Sequence, residues 1–246
     1  MEMAVQSTKA QGVRVQVKRR WFYRLIQSLV RGLIRLFGRV DVQGLENFPE
    51  EAPYIVAINH LHWMDIPALF IILPHEVATF AAEKWERHWF VGSLLRLLGH
   101  AIFVRRGEAD RKAITQAIQW LKNGGVLGIA PEGTRSRSGV LQPGKPGTAY
   151  LASRTGVPIV PVAIWGQEKF WREVRRGRRP IIHIRVGRPF FLDGTPNRAK
   201  GERLDAYTEQ IMLAIARLLP EEYRGVYADK VHTSLGGATD EPDLMD

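Results

Sequence analysis

Cysteine is absent from all 246 residues, which removes disulfide stabilisation, a thiolate nucleophile and cysteine-based metal sites together. Long apolar runs are missing too. The longest candidate, residues 21–37, is broken by Arg24, Arg31 and Arg35, so no stretch reaches the roughly 20 uncharged apolar residues that span a bilayer. Residues 1–20 lack a continuous apolar core ending in a small-residue cleavage site, so no secretory leader is expected and the chain should stay on the side of a membrane where it is made. Acidic side chains are in deficit: 25 Asp and Glu against 35 Lys and Arg give a formal charge of +10. That excess favours an anionic partner without separating nucleic acid, acidic lipid headgroups and phosphorylated metabolites. No internal repeat is visible.

What is present fits one substantial core, because the length and the 45% hydrophobic content suit a globular domain with small terminal additions. Trp21, Phe22, Leu25, Ile26, Leu29, Val30, Leu33, Ile34 and Phe37 recur every three or four residues, predicting an amphipathic helix. Lys18, Arg19, Arg20, Arg24, Arg31, Arg35 and Arg39 supply its cationic complement. Such a segment, residues 1–38, can lie in a membrane interface. The alternative is a helix packed on its own domain, with Gly32 as a point of bending or division.

Tyr54–Ile58 is too continuously apolar for a half-exposed strand and reads as a central parallel one. Further strands are predicted at 77–81, 101–104, 126–130 and 158–164, and a partly alternating one nearer an edge at 181–186. Helices are predicted from Asp65 to Leu73, across much of 86–98, at 110–121 and 147–154, and over 204–219. Repeated strand–helix units make the fold class α/β, a sheet flanked by helices, for a domain at 39–228. Residues 229–246, polar with Gly236-Gly237 and five acidic residues, read as a fraying tail.

Two segments carry chemistry. In Asn59-His60-Leu61-His62-Trp63-Met64-Asp65, His60 follows the predicted strand and Asp65 opens the next helix. A loop reversal can return the carboxylate to one imidazole nitrogen while the other faces a hydroxyl, making His60 a general base and Asp65 its orienter. A structural histidine at a helix cap is the competing reading. His60-x-His62 also resembles part of a two-histidine metal site, but the HxHxDH pattern would need Asp at 64 and His at 65, where Met64 and Asp65 stand. No metal is assigned. In Pro131-Glu132-Gly133-Thr134-Arg135-Ser136, Gly133 permits a positive φ or close backbone approach, and Arg135 can fork onto phosphate oxygens. Ionised Glu132 only accepts hydrogen bonds, so it orients Arg135, holds the loop or accepts a substrate hydroxyl. Arg105, delivered by another strand end with Arg106 beside it, is the best third contributor. Lys145 adds positive potential or sits in a structural turn. Arg172, Arg175, Arg176, Arg178 and Arg179 read as a lipid-facing or solvent patch.

Together these blocks resemble the glycerolipid acyltransferase family, in particular its 1-acyl-sn-glycerol-3-phosphate acyltransferases. The family's histidine–four-residue–aspartate block corresponds to His60–Asp65. Its second block is similar to Gly99–Arg106, with Arg105 in the substrate position, its third to Pro131–Ser136, and its proline-rich fourth to Val157–Ile164. The likeness covers roughly residues 40 to 190. Departures are His62, where serine is common, and Ala130, where an aromatic residue is; both bear on acceptor and acyl-chain preference. The resemblance implies transfer of a fatty acyl group from acyl-CoA or acyl carrier protein to the sn-2 hydroxyl of lysophosphatidic acid, without an acyl-enzyme or a cofactor. It implies catalysis by His60 and Asp65, phosphate binding by Arg105, Glu132, Gly133, Thr134 and Arg135, and His62 and Lys145 as candidate further contacts. Partners would be the bilayer, lysophosphatidic acid and the acyl donor, with no nucleic acid, at the cytoplasmic face of the cell membrane. Alternatives are an acyltransferase acting on glycerol 3-phosphate or another lysophospholipid, and a nonenzymatic basic protein binding anionic lipid or nucleic acid.

Overall fold

The computed structural model describes residues 20–83, 100–104, 110–193 and 200–236. Among these, seven strands form one sheet: β1 (Arg39–Gln43), β2 (Tyr54–Ile58), β3 (Val77–Ala82), β4 (His100–Val104), β5 (Val126–Ile129), β6 (Ile159–Trp165) and β7 (Ile181–Val186), in the order β1-β7-β6-β2-β5-β3-β4. The run from β6 to β4 is parallel, with Val56 opposite Val160 on one side and Gly128 on the other. β7 runs antiparallel to β6, and β1 pairs in parallel with β7.

Both faces of the sheet are covered, which explains the continuous apolar strands. Along β2, Tyr54, Val56 and Ile58 point into one layer, while Ile55 and Ala57 point into the other. The first layer is closed by α1 (Arg20–Phe37), α2 (Asp65–Phe70) and α5 (Phe170–Arg175), through Ile34, Ala68, Leu69 and Phe170. The second is closed by α3 (Arg111–Lys122), α4 (Gly147–Thr155), α6 (Glu202–Leu218) and α7 (Ala228–Gly236), through Ala117, Leu151, Ile215 and Val231. In β7 only Ile182, Ile184 and Val186 are buried, so the strand alternates, as suits the sheet's thinner side.

Several expectations shift. β1 was not anticipated; its Arg39-Val-Asp-Val-Gln43 sequence is short and polar, and it is held by pairing with β7. The fraying expected from residue 229 does not hold for residues 229–236, because Ala228–Gly236 is helical and Val231 is fully buried; residues 237–246 lie outside the described residues. One well-placed apolar side chain is enough to dock a turn whose composition looks unstructured. The helix expected within 86–98 lies outside the described residues.

α1 is unbroken through Gly32, and it combines the two readings of the sequence. One face docks: Tyr23 and Ile34 are buried, Gln27 Nε2 donates to the carbonyls of Phe70 (2.7 Å) and Leu73 (2.9 Å), and Arg31 donates to that of Ile71. These bonds satisfy carbonyls at the last residue of α2 and just beyond it, where the helix supplies no partner. The other face carries Trp21, Leu25, Leu29, Leu33 and Leu36 into solvent, with Trp21 69% and Leu29 60% exposed.

Candidate active site

The carboxyl ends of three adjacent strands, β6, β2 and β5, build the site. Where β2 ends, Asn59 is fully buried and its side chain clips the neighbouring strand: Nδ2 donates to the Ile164 carbonyl and Oδ1 accepts from the Ile164 N–H, both at 2.8 Å. The chain then turns, placing His60 at the sheet edge and Asp65 in the first turn of α2.

His60 Nδ1 lies 2.7 Å from Asp65 Oδ2. The carboxylate can only accept, so Nδ1 carries the proton in the neutral ring and Nε2 presents its lone pair. The imidazole is 24% exposed, whereas Asp65 is wholly buried. Three donors hold that carboxylate: Oδ2 also accepts from the His62 N–H at 2.9 Å, and Oδ1 accepts from Gln167 Nε2 at 2.6 Å. A histidine with one nitrogen fixed by a buried carboxylate and the other facing outward is suited to take a proton from a bound hydroxyl.

The second segment leaves β5 and folds back on His60. Glu132 Oε1 accepts the His60 N–H at 2.7 Å, and the His60 carbonyl accepts the Ser136 N–H at 2.8 Å. The backbone of the histidine is thus gripped on both sides by a loop about 70 residues away. Glu132 Oε2 accepts the Gln142 N–H at 3.0 Å. Of the roles open to Glu132, holding the loop is the one the structure displays; its side chain is buried with both oxygens engaged by backbone donors. Burial pushes its carboxyl up to about 7, against the downward pull of the two backbone N–H groups.

Beyond Glu132 the loop opens to solvent. Gly133 adopts φ +67°, the left-handed turn that calls for glycine, and the exposed Lys145 stem lies across it. Gly133, Thr134, Arg135 and Lys145 are exposed, and Arg135 forms no ion pair with a described residue. Lys145 is tied to the same loop through its N–H, which donates to the Pro131 carbonyl at 2.7 Å. Arg105 and Arg106 lie outside the described residues; β4, parallel to β2, ends at Val104.

His62 is half-buried beside this opening. Desolvation lowers its basicity most, with Asp65 opposing and Arg135 reinforcing that trend. Its ring meets Trp63 (centroids 5.5 Å), which stacks on Trp171 (6.5 Å, 15°), so an aromatic row runs from the site to α5. Among the described residues no three His, Asp or Glu side chains are grouped to hold a metal ion. In the basic patch, Glu173 gathers Arg172, Arg176 and Arg178. Arg179 instead donates to the carbonyls of Arg35 (2.6 Å) and Gly38 (3.4 Å), capping the end of α1 where a cation suits the helix dipole.

Sequence reasoning missed the contributions of Asn59 and Gln167. The available signal was a polar residue at the carboxyl end of a wholly apolar strand, directly after Ile58 in one case and after Trp165-Gly166 in the other. It is a faint signal, because such residues also serve as ordinary turn formers.

At one strand edge the sheet thus presents a histidine backed by a buried carboxylate and an exposed arginine loop, groups able to take a proton from a hydroxyl and to bind an anion. Residues 39–165 match the sequence profile of the Acyltransferase family, and the chain belongs to that family. It is 29% identical over 197 residues to a 1-acyl-sn-glycerol-3-phosphate acyltransferase of Bacillus subtilis, covering 80% of this chain and 96% of that protein. It is 30% identical over 215 residues to the human 1-acyl-sn-glycerol-3-phosphate acyltransferase alpha, covering 82% and 72%. The crystal structure of the 1-acyl-sn-glycerophosphate (LPA) acyltransferase from Thermotoga maritima superposes with a TM-score of 0.62 at 29% identity, covering 82% of this chain and 80% of that one.

Proposed function

We propose that this protein is a 1-acyl-sn-glycerol-3-phosphate acyltransferase, moving a fatty acyl group from a thioester donor, acyl-CoA or acyl carrier protein, to the sn-2 hydroxyl of lysophosphatidic acid. The observation that carries the chemistry is the His60–Asp65 pair at 2.7 Å, with the imidazole partly open to solvent and the carboxylate sealed. His60 Nε2 takes the hydroxyl proton as the alcohol oxygen attacks the thioester carbonyl. Asp65 stabilises the imidazolium that forms. Collapse of the tetrahedral adduct breaks the carbon–sulfur bond, and the proton leaves His60 for the departing thiolate, so an ester and a free thiol result and the enzyme returns to its starting state. No acyl-enzyme and no cofactor are invoked.

Arg135, with Gly133, Thr134 and Lys145 beside it and Arg105 from the end of β4, binds the acceptor phosphate and fixes the hydroxyl beside the base. Glu132 acts behind this surface, through the backbone of His60. The sheet from β1 onward, with its flanking helices through Gly236, forms the catalytic domain. The exposed face of α1 lies in the cytoplasmic interface of the cell membrane, apolar side chains among acyl chains and arginines towards headgroups, making the protein peripheral or monotopic. None of the helices among the described residues is long and apolar enough to cross.

The reading is tested by following thiol release from acyl-CoA and from acyl carrier protein with lysophosphatidic acid, and identifying the lipid product. Phosphatidic acid is expected, with glycerol 3-phosphate and uncharged lysolipids turned over poorly. Faster turnover of glycerol 3-phosphate would move the protein to the neighbouring acceptor class. Absence of thiol release with every donor would remove the acyltransferase reading from this chain.

A further inference from the structure

We infer that Gln167 is a positioning residue of the reaction, holding Asp65 in the one orientation that serves His60. This rests on the reading of His60 and Asp65 as the reacting pair. Asp65 is fully buried, and its Oδ2 is already shared by His60 Nδ1 and the His62 N–H. Partial rotation of the carboxylate about Cβ–Cγ would swing Oδ2 off the line to His60 Nδ1, whereas a full half-turn only exchanges equivalent oxygens. Gln167 Nε2, 2.6 Å from Oδ1 and equally buried, fixes that rotation from the opposite side.

The surrounding chain is shaped to deliver this amide. Gly166 takes φ +88°, and a Cβ there would lie 2.4 Å from the Ile181 carbonyl oxygen. Only glycine can make that turn so close to β7, and the turn throws Gln167 inward from the end of β6. Ile164, three residues earlier, is clipped to Asn59, directly after β2, so the strand that leads to Gln167 is locked to the strand that leads to His60. Gln167 Nε2 also reaches the Ile164 carbonyl, at 3.4 Å.

Two features point to function beyond packing. The other amide atom, Gln167 Oε1, is buried without a hydrogen-bond partner among the described residues, an arrangement that stability alone disfavours. The donor is also neutral. An arginine or lysine in this place would hold the carboxylate equally well but cancel the negative charge that supports the imidazolium, whereas an amide fixes the geometry and leaves the charge intact.

The test is a double-mutant cycle in the thiol-release assay, with melting curves for each protein. Gln167→Met keeps length and approximate volume but removes the donor. Turnover should fall about 10- to 100-fold, the worth of a hydrogen bond to a charged group, while the KM of donor and acceptor moves less than about twofold, as expected for an effect on the transition state. In an Asp65→Asn background the same substitution should cost little, because the group it acts through is gone. Gln167→Leu also removes the donor while keeping an apolar side chain of similar size, and should lose as much turnover as Gln167→Met. Should Gln167→Met melt below the assay temperature, Gln167→Leu carries the comparison. Full turnover in either folded variant, or equal losses with and without the Asp65 carboxylate, overturns the inference. Wild-type turnover in Asp65→Asn itself would instead overturn the His60–Asp65 reading on which it rests.

Discussion

In the proposed reaction His60 is the base, and its substitution separates catalysis from folding. The ring is partly exposed and its backbone, not its side chain, carries the links to Glu132 and Ser136. His60→Ala should therefore lower turnover by about 10²- to 10⁴-fold while the melting temperature stays within a few degrees of wild type; unchanged kinetics would remove it as the base. Glu132 makes the opposite case, a buried carboxylate with a structural link to the site. Its carboxyl titrates at about 7 in the folded protein against an ordinary value of 4.5, so between those values the folded state binds more protons than the unfolded one. Stability contributed by this residue is then greatest below about pH 4.5 and declines as pH rises towards 7, by roughly 3 kcal/mol for the whole shift. Urea unfolding of wild type and Glu132→Gln at pH 5 and pH 8 should show this decline in the wild type alone. An equal pH dependence in both proteins would assign the slope to another group.

Among the elements, α1 shows how one helix serves two surfaces. Tyr23 and Ile34 lock it to the domain, and Arg179 caps its end, so deleting the whole helix would uncover core as well as remove the outward stripe. Substitution of the stripe alone avoids that confusion. Leu29→Asp with Leu33→Asp should leave the melting temperature near wild type and reduce cosedimentation with phospholipid vesicles at least tenfold, about the effect of withdrawing two leucines from an apolar phase. Unaltered cosedimentation would assign membrane contact to another surface, with the Trp63–Trp171 stack the first to examine. The strands teach a complementary lesson. β2 and β6 were legible because both faces of each are buried and the apolar run is unbroken, and the alternation in β7 was legible because one of its faces is not. β1 has neither pattern; its existence is decided by the pairing groups that β7 presents.

For the molecule as a whole, the formal charge of +10 predicts the conditions under which it meets its substrate. Binding to vesicles containing anionic phospholipid should weaken as salt is raised from about 0.1 M to 1 M, where the screening length falls from about 10 Å to 3 Å. Binding to zwitterionic vesicles should change little, since its apolar part is not screened. Identical salt curves for the two vesicle types would leave the basic excess without a role at the membrane. The likeness to a known acyltransferase structure and the distribution of buried residues agree on the fold, a central sheet flanked by helices on both faces with α1 packed on one of them.

What the sequence by itself determined was local: which runs are strands and helices, which glycines permit turns, and which residue types stand at the spacing of a histidine and its carboxylate. Periodicity and spacing encode these because they depend on neighbours within a few residues. Only the tertiary structure decided what holds the pair in place. Glu132 reaches the His60 backbone across 72 residues and Gln167 reaches Asp65 across 102, and such bonds exist because β5 and β6 flank β2 in the sheet. Strand order is set by which buried faces pack together over the whole chain, and no local pattern carries that information.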